Sequence, residues 1–269
     1  FCFRYETMEI ELLFHPLIKH LETGHISDGA HYYLYRLGEK FVLQNTRGVI
    51  GQWGPDEIHS FKGKLFMELL NNSYQMQEED WMCVLHAAAV CYGECCLLFT
   101  GQSGCGKSTL TALLLANGFD LLADDFVPVE ARTGHVMHFP AAISVKESAT
   151  ALLAALYPEL GEAKVYRNTA PNKTVRYLLP LGKRGIDKPG FPVKALIFTK
   201  YEENSGFSLK ILPHGMAFRN LIPDSWLSPL SGNVKRFLDW FAKMPCYQMV
   251  YSDNSKMVST VEKLFRGEL

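Results

Sequence analysis

The sequence predicts an α/β protein in which a core of residues 81–269 follows a small, β-rich α+β region of residues 1–80 and finishes in helices. Three observations carry this. Apolar runs of strand length, Trp81–Cys91 and Glu94–Thr100, precede a helical stretch over Ser108–Asn117 and another strand over Phe119–Ala123, the alternation of an α/β sheet. A glycine-rich segment sits where the second of these strands must give way to the helix. Finally, 48% of the 269 residues are hydrophobic, enough for a substantial core, which excludes a disordered or fibrous chain.

The elements follow in order. Before residue 80, Tyr32–Leu37, Lys40–Gln44 and Gly48–Trp53 are short apolar runs divided by polar breaks and read as strands. Ile58, Phe61, Leu65, Phe66 and Leu69 then recur at helical spacing. No chemistry is evident in this part. Gly118 stops the helix that begins at Ser108, and Ala149–Leu156 reads as a short helix. Gly161–Gly190 carries Lys164, Arg167, Lys173, Arg176, Lys183, Arg184 and Lys188 without periodicity and is expected to be a mobile loop, either solvated or clamping an acidic partner. Pro192–Lys200 reads as a buried strand. Two amphipathic helices close the chain, Val234–Lys243 with Val234, Phe237, Leu238 and Phe241 on one face, and Ser255–Phe265 with Val258, Val261, Leu264 and Phe265, separated by a strand Tyr247–Tyr251. No repeat or low-complexity tract interrupts this pattern.

Charge and composition narrow the partners. Lys and Arg number 27 against 28 Asp and Glu, a balance that disfavours nucleic acid as the partner. The longest apolar stretch, Val84–Phe99, is interrupted by Gly93 and Glu94, short of the roughly 18 residues of a membrane span. Residues 1–13 carry Arg4, Glu6, Glu9 and Glu11 and lack the charge order of a signal peptide; the opening Phe1 suggests a trimmed start. Seven cysteines, an odd number with four in strand-like sequence, suit reduced thiols and a cytoplasmic setting, and Cys95–Cys96 lacks metal-ligand spacing.

Gly101-Gln102-Ser103-Gly104-Cys105-Gly106-Lys107-Ser108 fits G-x-x-x-x-G-K-[ST], between an apolar strand and a helix as that pattern requires. The glycines let successive backbone N–H groups converge on phosphate oxygens at the positive end of a helix. Lys107 is placed to meet the outer phosphates, the Ser108 hydroxyl to ligate Mg2+, and Thr109 to complete the cradle. Cys105 has two readings: a thiol activated by helix amides and Lys107, or a side chain turned into packing.

Leu121-Leu122-Ala123 ends in Asp124-Asp125, 18 residues beyond Lys107 at the second acid. So short a gap holds one helix, one turn and one strand, which is expected to return beside the strand feeding the cradle. Adjacent residues of a strand point to opposite faces, so one carboxylate is expected to bind Mg2+ and the other to accept a hydroxyl proton, unless one of them only starts a loop. His86, on the apolar run before the cradle, is by itself more often a satisfied core histidine than a catalytic one.

Taken together, His86, the segment Gly101–Ser108 and the strand end Ala123-Asp124-Asp125 resemble the catalytic core of the HPr kinase/phosphorylase family of bacterial P-loop serine kinases. Leu85-His86-Ala87-Ala88-Ala89-Val90 with Gly106-Lys107-Ser108-Thr109-Leu110-Thr111 looks most like its divergent branch, which includes kinases of lasso peptide precursors. The resemblance covers residues 81–130 closely. It implies a P-loop kinase core of HPr kinase type, ATP and Mg2+ as cofactors, a homo-oligomer, and transfer of the γ-phosphoryl group to a serine of a peptide or protein. By the same resemblance Asp125 is the base, His86 supports catalysis, Lys107 and Ser108 hold ATP and Mg2+, and Asp124 assists the metal. The family's further acidic ligand has no clear counterpart, with Thr150 and Glu147 nearest, and its catalytic Arg is unplaced among Arg167, Arg176 and Arg219.

Other readings of the cradle are a nucleotide-driven switch or ATPase, a kinase of a small molecule, or a nucleotide sensor without turnover. Guanine readers carry N-K-x-D, and Asn172-Lys173-Thr174-Val175 lacks the Asp.

Overall fold

Side chains alternate across each strand, and in the computed structural model that alternation divides the interior into two cores on opposite faces of one sheet. Residues 1–23, 29–167, 174–180 and 190–269 are described. The chain opens with β1 (Cys2–Tyr5), α1 (Met8–Ile18), β2 (His31–Leu37), β3 (Lys40–Asn45), β4 (Gly48–Trp53) and α2 (Ile58–Tyr74). The four strands form one sheet in that order, and α1 and α2 cover it through Phe14, Phe41, Trp53 and Phe61, whose rings meet at 4.9–5.4 Å. Helix α1 has no counterpart in the sequence reading. Pro16 inside it and Phe1 to Leu13 read mainly for charge masked a helix that Thr7 caps by accepting from the Ile10 N–H.

Next come β5 (Trp81–Leu85), β6 (Ala88–Tyr92), β7 (Cys95–Thr100), α3 (Lys107–Ala116), β8 (Asp120–Asp124) and β9 (Val127–Glu130). Then follow β10 (Val136–Met137), β11 (Ile143–Lys146), α4 (Glu147–Ala154), α5 (Pro158–Glu162), β12 (Tyr166–Arg167), β13 (Thr174–Leu178), β14 (Gly190–Phe191) and β15 (Val193–Tyr201). The chain ends with β16 (Phe207–Ile211), α6 (His214–Leu221), β17 (Trp226–Leu227), α7 (Ser231–Phe241), β18 (Cys246–Tyr251) and α8 (Asn254–Arg266). This is a mixed α/β architecture: a six-stranded sheet ordered β16-β18-β15-β7-β6-β8, a five-stranded sheet ordered β14-β10-β9-β5-β17, and a three-stranded sheet ordered β11-β13-β12. In β7, Cys96 and Leu98 enter one core, shared with the five-stranded sheet and the first 80 residues; Leu97 and Phe99 enter the other, under α3 and α8. No helix among the described residues is long and apolar enough to cross a membrane.

Four expectations are corrected. The run Trp81–Cys91 is two strands in different sheets, because the chain leaves the five-stranded sheet at His86-Ala87 and enters the six-stranded one. The acid-bearing β8 does not lie beside β7; β6 lies between them, antiparallel to both. Gly161–Gly190 is in part strand, since β13 pairs antiparallel with β11 on one side and with β12 on the other; Asn172, Lys173, Lys183, Arg184 and Lys188 lie outside the described residues. On α7, Phe237 and Phe241 are buried as expected, but Val234 and Leu238 are exposed and Asn233 takes the interior position. There its amide donates to the carbonyls of Glu79 and Trp81, which no apolar side chain could do.

At the end of β9 the buried Glu130 carboxylate accepts from the N–H groups of Arg132 at 2.8 Å and Thr133 at 2.9 Å and from the Thr133 hydroxyl. Burial acts to raise its carboxyl, but these bonds outweigh it and hold the group below the usual glutamate range. The Glu130→Gln variant is expected to lose about 1–2 kcal/mol at neutral pH. Because the folded value is depressed, the stabilisation is present above the unfolded value of about 4.3 and vanishes as pH falls through the folded one. Denaturant titrations of both proteins should therefore converge in acid, and a gap that persists there would refute the assignment.

Candidate functional site

Two chain crossings between sheets lie side by side and build the site. At one, β5 passes into β6 through His86-Ala87; at the other, β8 passes into β9 through Asp125-Phe126. The Asp125 N–H donates to the Ala87 carbonyl at 2.8 Å, joining the crossings, and the Thr100 hydroxyl donates to the His86 carbonyl at 3.2 Å, joining both to the end of β7. These hydrogen bonds bring together the middle of one expected strand, at His86, and the ends of two others, at Thr100 and Asp125.

Beyond β7 the loop 101–106 turns sharply into α3. Gly101 has φ 154°, and a Cβ there would meet the Thr199 carbonyl oxygen at 2.7 Å; Gly106 has φ 94° and stands 3.0 Å from the Tyr201 side chain by the same measure. Both positions demand glycine. The Tyr201 N–H donates to the Cys105 carbonyl at 2.8 Å, which ties the loop to the end of β15. No side chain caps the N-terminus of α3, so its first-turn amides, at Lys107, Ser108 and Thr109, face the loop opening. Gln102, Ser103 and Gly104 are exposed at its rim. The Cys105 thiol turns the other way, 3.7 Å from the Thr199 hydroxyl and over Gly101, the packing arrangement of the two considered.

The acid pair departs from the expected strand geometry. Asp124 ends β8 and is buried, whereas Asp125 has φ 62°, the left-handed region that Asp tolerates better than most residues. That turn cancels the strand alternation, so both carboxylates meet α3. Ser108 Oγ donates to Asp124 Oδ2 at 3.3 Å, Lys107 Nζ pairs with Asp125 Oδ1, and His86 Nε2 lies 3.8 Å from the same Oδ1. The structure therefore brings His86, Lys107, Ser108, Asp124 and Asp125 to one point.

Their charges are not equivalent. Burial, and then the neighbouring Asp125, push the Asp124 carboxyl up to about 7. Burial acts to raise Asp125 as well, but 46% of its side chain is open to solvent, and the Lys107 ammonium paired with it holds it below the usual carboxylate range. The buried Lys107 ammonium, which burial alone would depress, is raised by the two aspartates. Burial and Lys107 lower His86, so its imidazole is neutral near pH 7.

Asp124 Oδ1 is buried without a hydrogen-bond partner among the described residues. An unpaired, desolvated carboxylate oxygen beside a serine hydroxyl is a hard-oxygen donor set that fits Mg2+, which takes few ligands from protein and the rest from water and phosphate.

Several residues at the site escaped the sequence reading. Lys146, at the end of β11, lies with Nζ 3.5 Å from where a Cβ on Gly104 would stand, and its charge acts on Asp125. From α2, Lys62 feels Asp125 and His59 acts on His86, as does Asp224 from the turn Ile222–Asp224. Of the candidate arginines, Arg176 is held by Glu147 at 3.4 Å and by the carbonyls of Gly161 and Ala163, and Arg167 and Arg219 are exposed.

No family model matches the chain, and no curated protein matches it. A solved structure, that of the Hpr(Ser) kinase/phosphatase from Coxiella burnetii, aligns with 69% of this chain and 89% of its own at 12% identity and a TM-score of 0.31. A likeness that loose carries no argument, and the reading of the site rests on its own geometry.

Proposed function

We propose that the protein is an ATP-dependent kinase that transfers the γ-phosphoryl group to a serine hydroxyl of a peptide or protein, in the manner of the divergent HPr-kinase-related enzymes that modify ribosomal peptides such as lasso precursors. One observation carries the reading: the glycine-wrapped amides at the start of α3 and two electrostatically distinct carboxylates converge on Lys107.

Each group then has a task. The loop amides and Lys107 hold the phosphates, and Ser108 and Asp124 would hold Mg2+, which when bound neutralises phosphate charge. Asp125, kept ionised, accepts the serine proton as the serine oxygen bonds to phosphorus and the bond to the ADP oxygen breaks. Lys107 is paired with Asp125. An arriving phosphate competes for that ammonium and releases the carboxylate, so the base becomes free once the donor is in place. His86, neutral and beside Asp125, steadies the carboxylate. Phosphoryl transfer needs chiefly positioning and charge neutralisation, and these parts supply both.

The test is incubation with γ-labelled ATP, Mg2+ and candidate peptides and proteins of the native host, with mass spectrometry of the product. A phosphoserine in an acceptor is expected. ATP consumption without any phosphorylated acceptor would favour a switch or ATPase, and a labelled metabolite a small-molecule kinase.

A further inference from the structure

Helix α2 belongs to the part of the chain in which the sequence showed no chemistry, yet it forms a wall of the site. Its Phe61 ring is buried against Phe14, Phe41 and Trp53, which fixes the helix rotation. Phe66 packs edge-on against Phe126 at 5.6 Å and against Phe139 at 5.2 Å. Phe126 directly follows Asp125. Lys62 lies one turn before Phe66 and His59 three residues earlier still, so His59, Lys62 and Phe66 share the face that looks along the acid turn.

Lys62 differs from its neighbour Lys64. The Lys64 ammonium is paired with Glu68 at 3.3 Å and Glu78 at 2.6 Å, whereas Lys62, half-buried, has no ion pair within 4.0 Å among the described residues. Burial depresses the Lys62 ammonium and the Asp125 charge opposes that depression. A partly desolvated cation without a partner is costly to keep unless an anion arrives to meet it. Helix α2 packs into one core and α3 into the other, so the helices that carry Lys62 and Lys107 lie on different faces of the six-stranded sheet.

We propose that Lys62 is a phosphoryl-binding residue of the site, contacting the transferred group from the acceptor side while Lys107 holds it from the donor side. This rests on the kinase reading and adds to it a cation from the first 80 residues. It adds a positive charge to those of Lys107 and Lys146, which already act on Asp125. In transfer the three equatorial oxygens of the phosphoryl group carry the charge, and a second cation beside the base would meet them only when the group has left the nest.

The experiment compares wild type, Lys62→Met and Lys62→Arg, since methionine keeps the apolar stem that packs on α2 and arginine keeps the charge. Binding of ADP with Mg2+ is measured with and without aluminium fluoride, a mimic of the transferring phosphoryl group, and needs no acceptor. Aluminium fluoride is expected to tighten ADP binding in the wild type, to lose at least about tenfold of that tightening in Lys62→Met and to recover part of it in Lys62→Arg, while affinity for ADP alone stays unchanged. Once an acceptor is in hand, kcat of Lys62→Met should fall about 100-fold with little change in KM for ATP. Equal tightening in wild type and Lys62→Met would overturn the Lys62 assignment and leave the kinase reading intact. A wild type that binds no ADP would instead overturn the kinase reading itself. Thermal melts of both variants separate unfolding from loss of the contact: an Arg variant that melts like the wild type yet gains nothing over Met also counts against the proposal.

Discussion

The Asp125→Asn variant should lose phosphoryl transfer by about 10²–10⁴-fold, the usual contribution of a positioned general base, while binding nucleotide at least as tightly as the wild type. The sign of the second effect is the more discriminating part. Asn tolerates the φ of 62° at this position and has nearly the shape of Asp, so the turn and its bond to the Ala87 carbonyl should survive. What disappears is the ion pair that occupies Lys107 before nucleotide arrives. An ammonium no longer held by Asp125 is available to phosphate, and one negative charge fewer faces the incoming polyanion. A base needed only in the transfer step predicts lower kcat and unchanged or lower KM for ATP. Equilibrium binding of a fluorescent ATP analogue and single-turnover transfer measure the two quantities separately. Full activity in Asp125→Asn would remove Asp125 from the role of base, and weaker nucleotide binding would mean that its charge is needed to hold the cradle in shape.

Much of the core was legible because it depends on local rules. The glycine spacing of 101–106, the helix that follows and the apolar run ending at Asp124-Asp125 all declare themselves in short windows, and each stands close to where it was expected. Relations between windows were less accessible. His86 is the one polar residue in the apolar run from Trp81, and a single histidine does not by itself mark a strand end; the break arises because the strands on either side belong to two different sheets. The positive φ of Asp125 was invisible for a similar reason, as it follows from that same crossing and reverses an inference that was sound for a regular strand. Lys62 and His59 were passed over because a polar residue on an amphipathic helix is normally solvated. The packing of Phe66 on Phe126 turns this helix face toward the acid turn, with Lys62 half-buried and His59 still exposed.

Asp124→Asn should separate stability from function in the opposite direction to most active-site substitutions. In metal-free buffer the variant is expected to melt at or above the wild-type temperature, and with Mg2+ and nucleotide present it should fall below it. Asp124 is buried, has one oxygen without a partner and adjoins a second carboxylate, so its charge is a cost that the folded protein bears before any ligand binds. The amide of Asn keeps an acceptor for the Ser108 hydroxyl, which lies 3.3 Å from Asp124 Oδ2, and removes the charge that opposes Asp125. The same neutralisation deprives a divalent cation of its anionic ligand. Ligands that bind only the folded state stabilise it in proportion to their affinity, so the wild type should gain several degrees from Mg2+ with ATP while the variant gains little. Transfer should drop by about 10²–10³-fold with Asp125 untouched, the scale expected when one preorganised electrostatic group is lost. Differential scanning calorimetry in chelator, in Mg2+ alone and in Mg2+ with a non-hydrolysable ATP analogue gives the three comparisons. A variant that is destabilised in chelator yet keeps the full ligand-induced gain would place the metal elsewhere and make Asp124 a structural residue of β8.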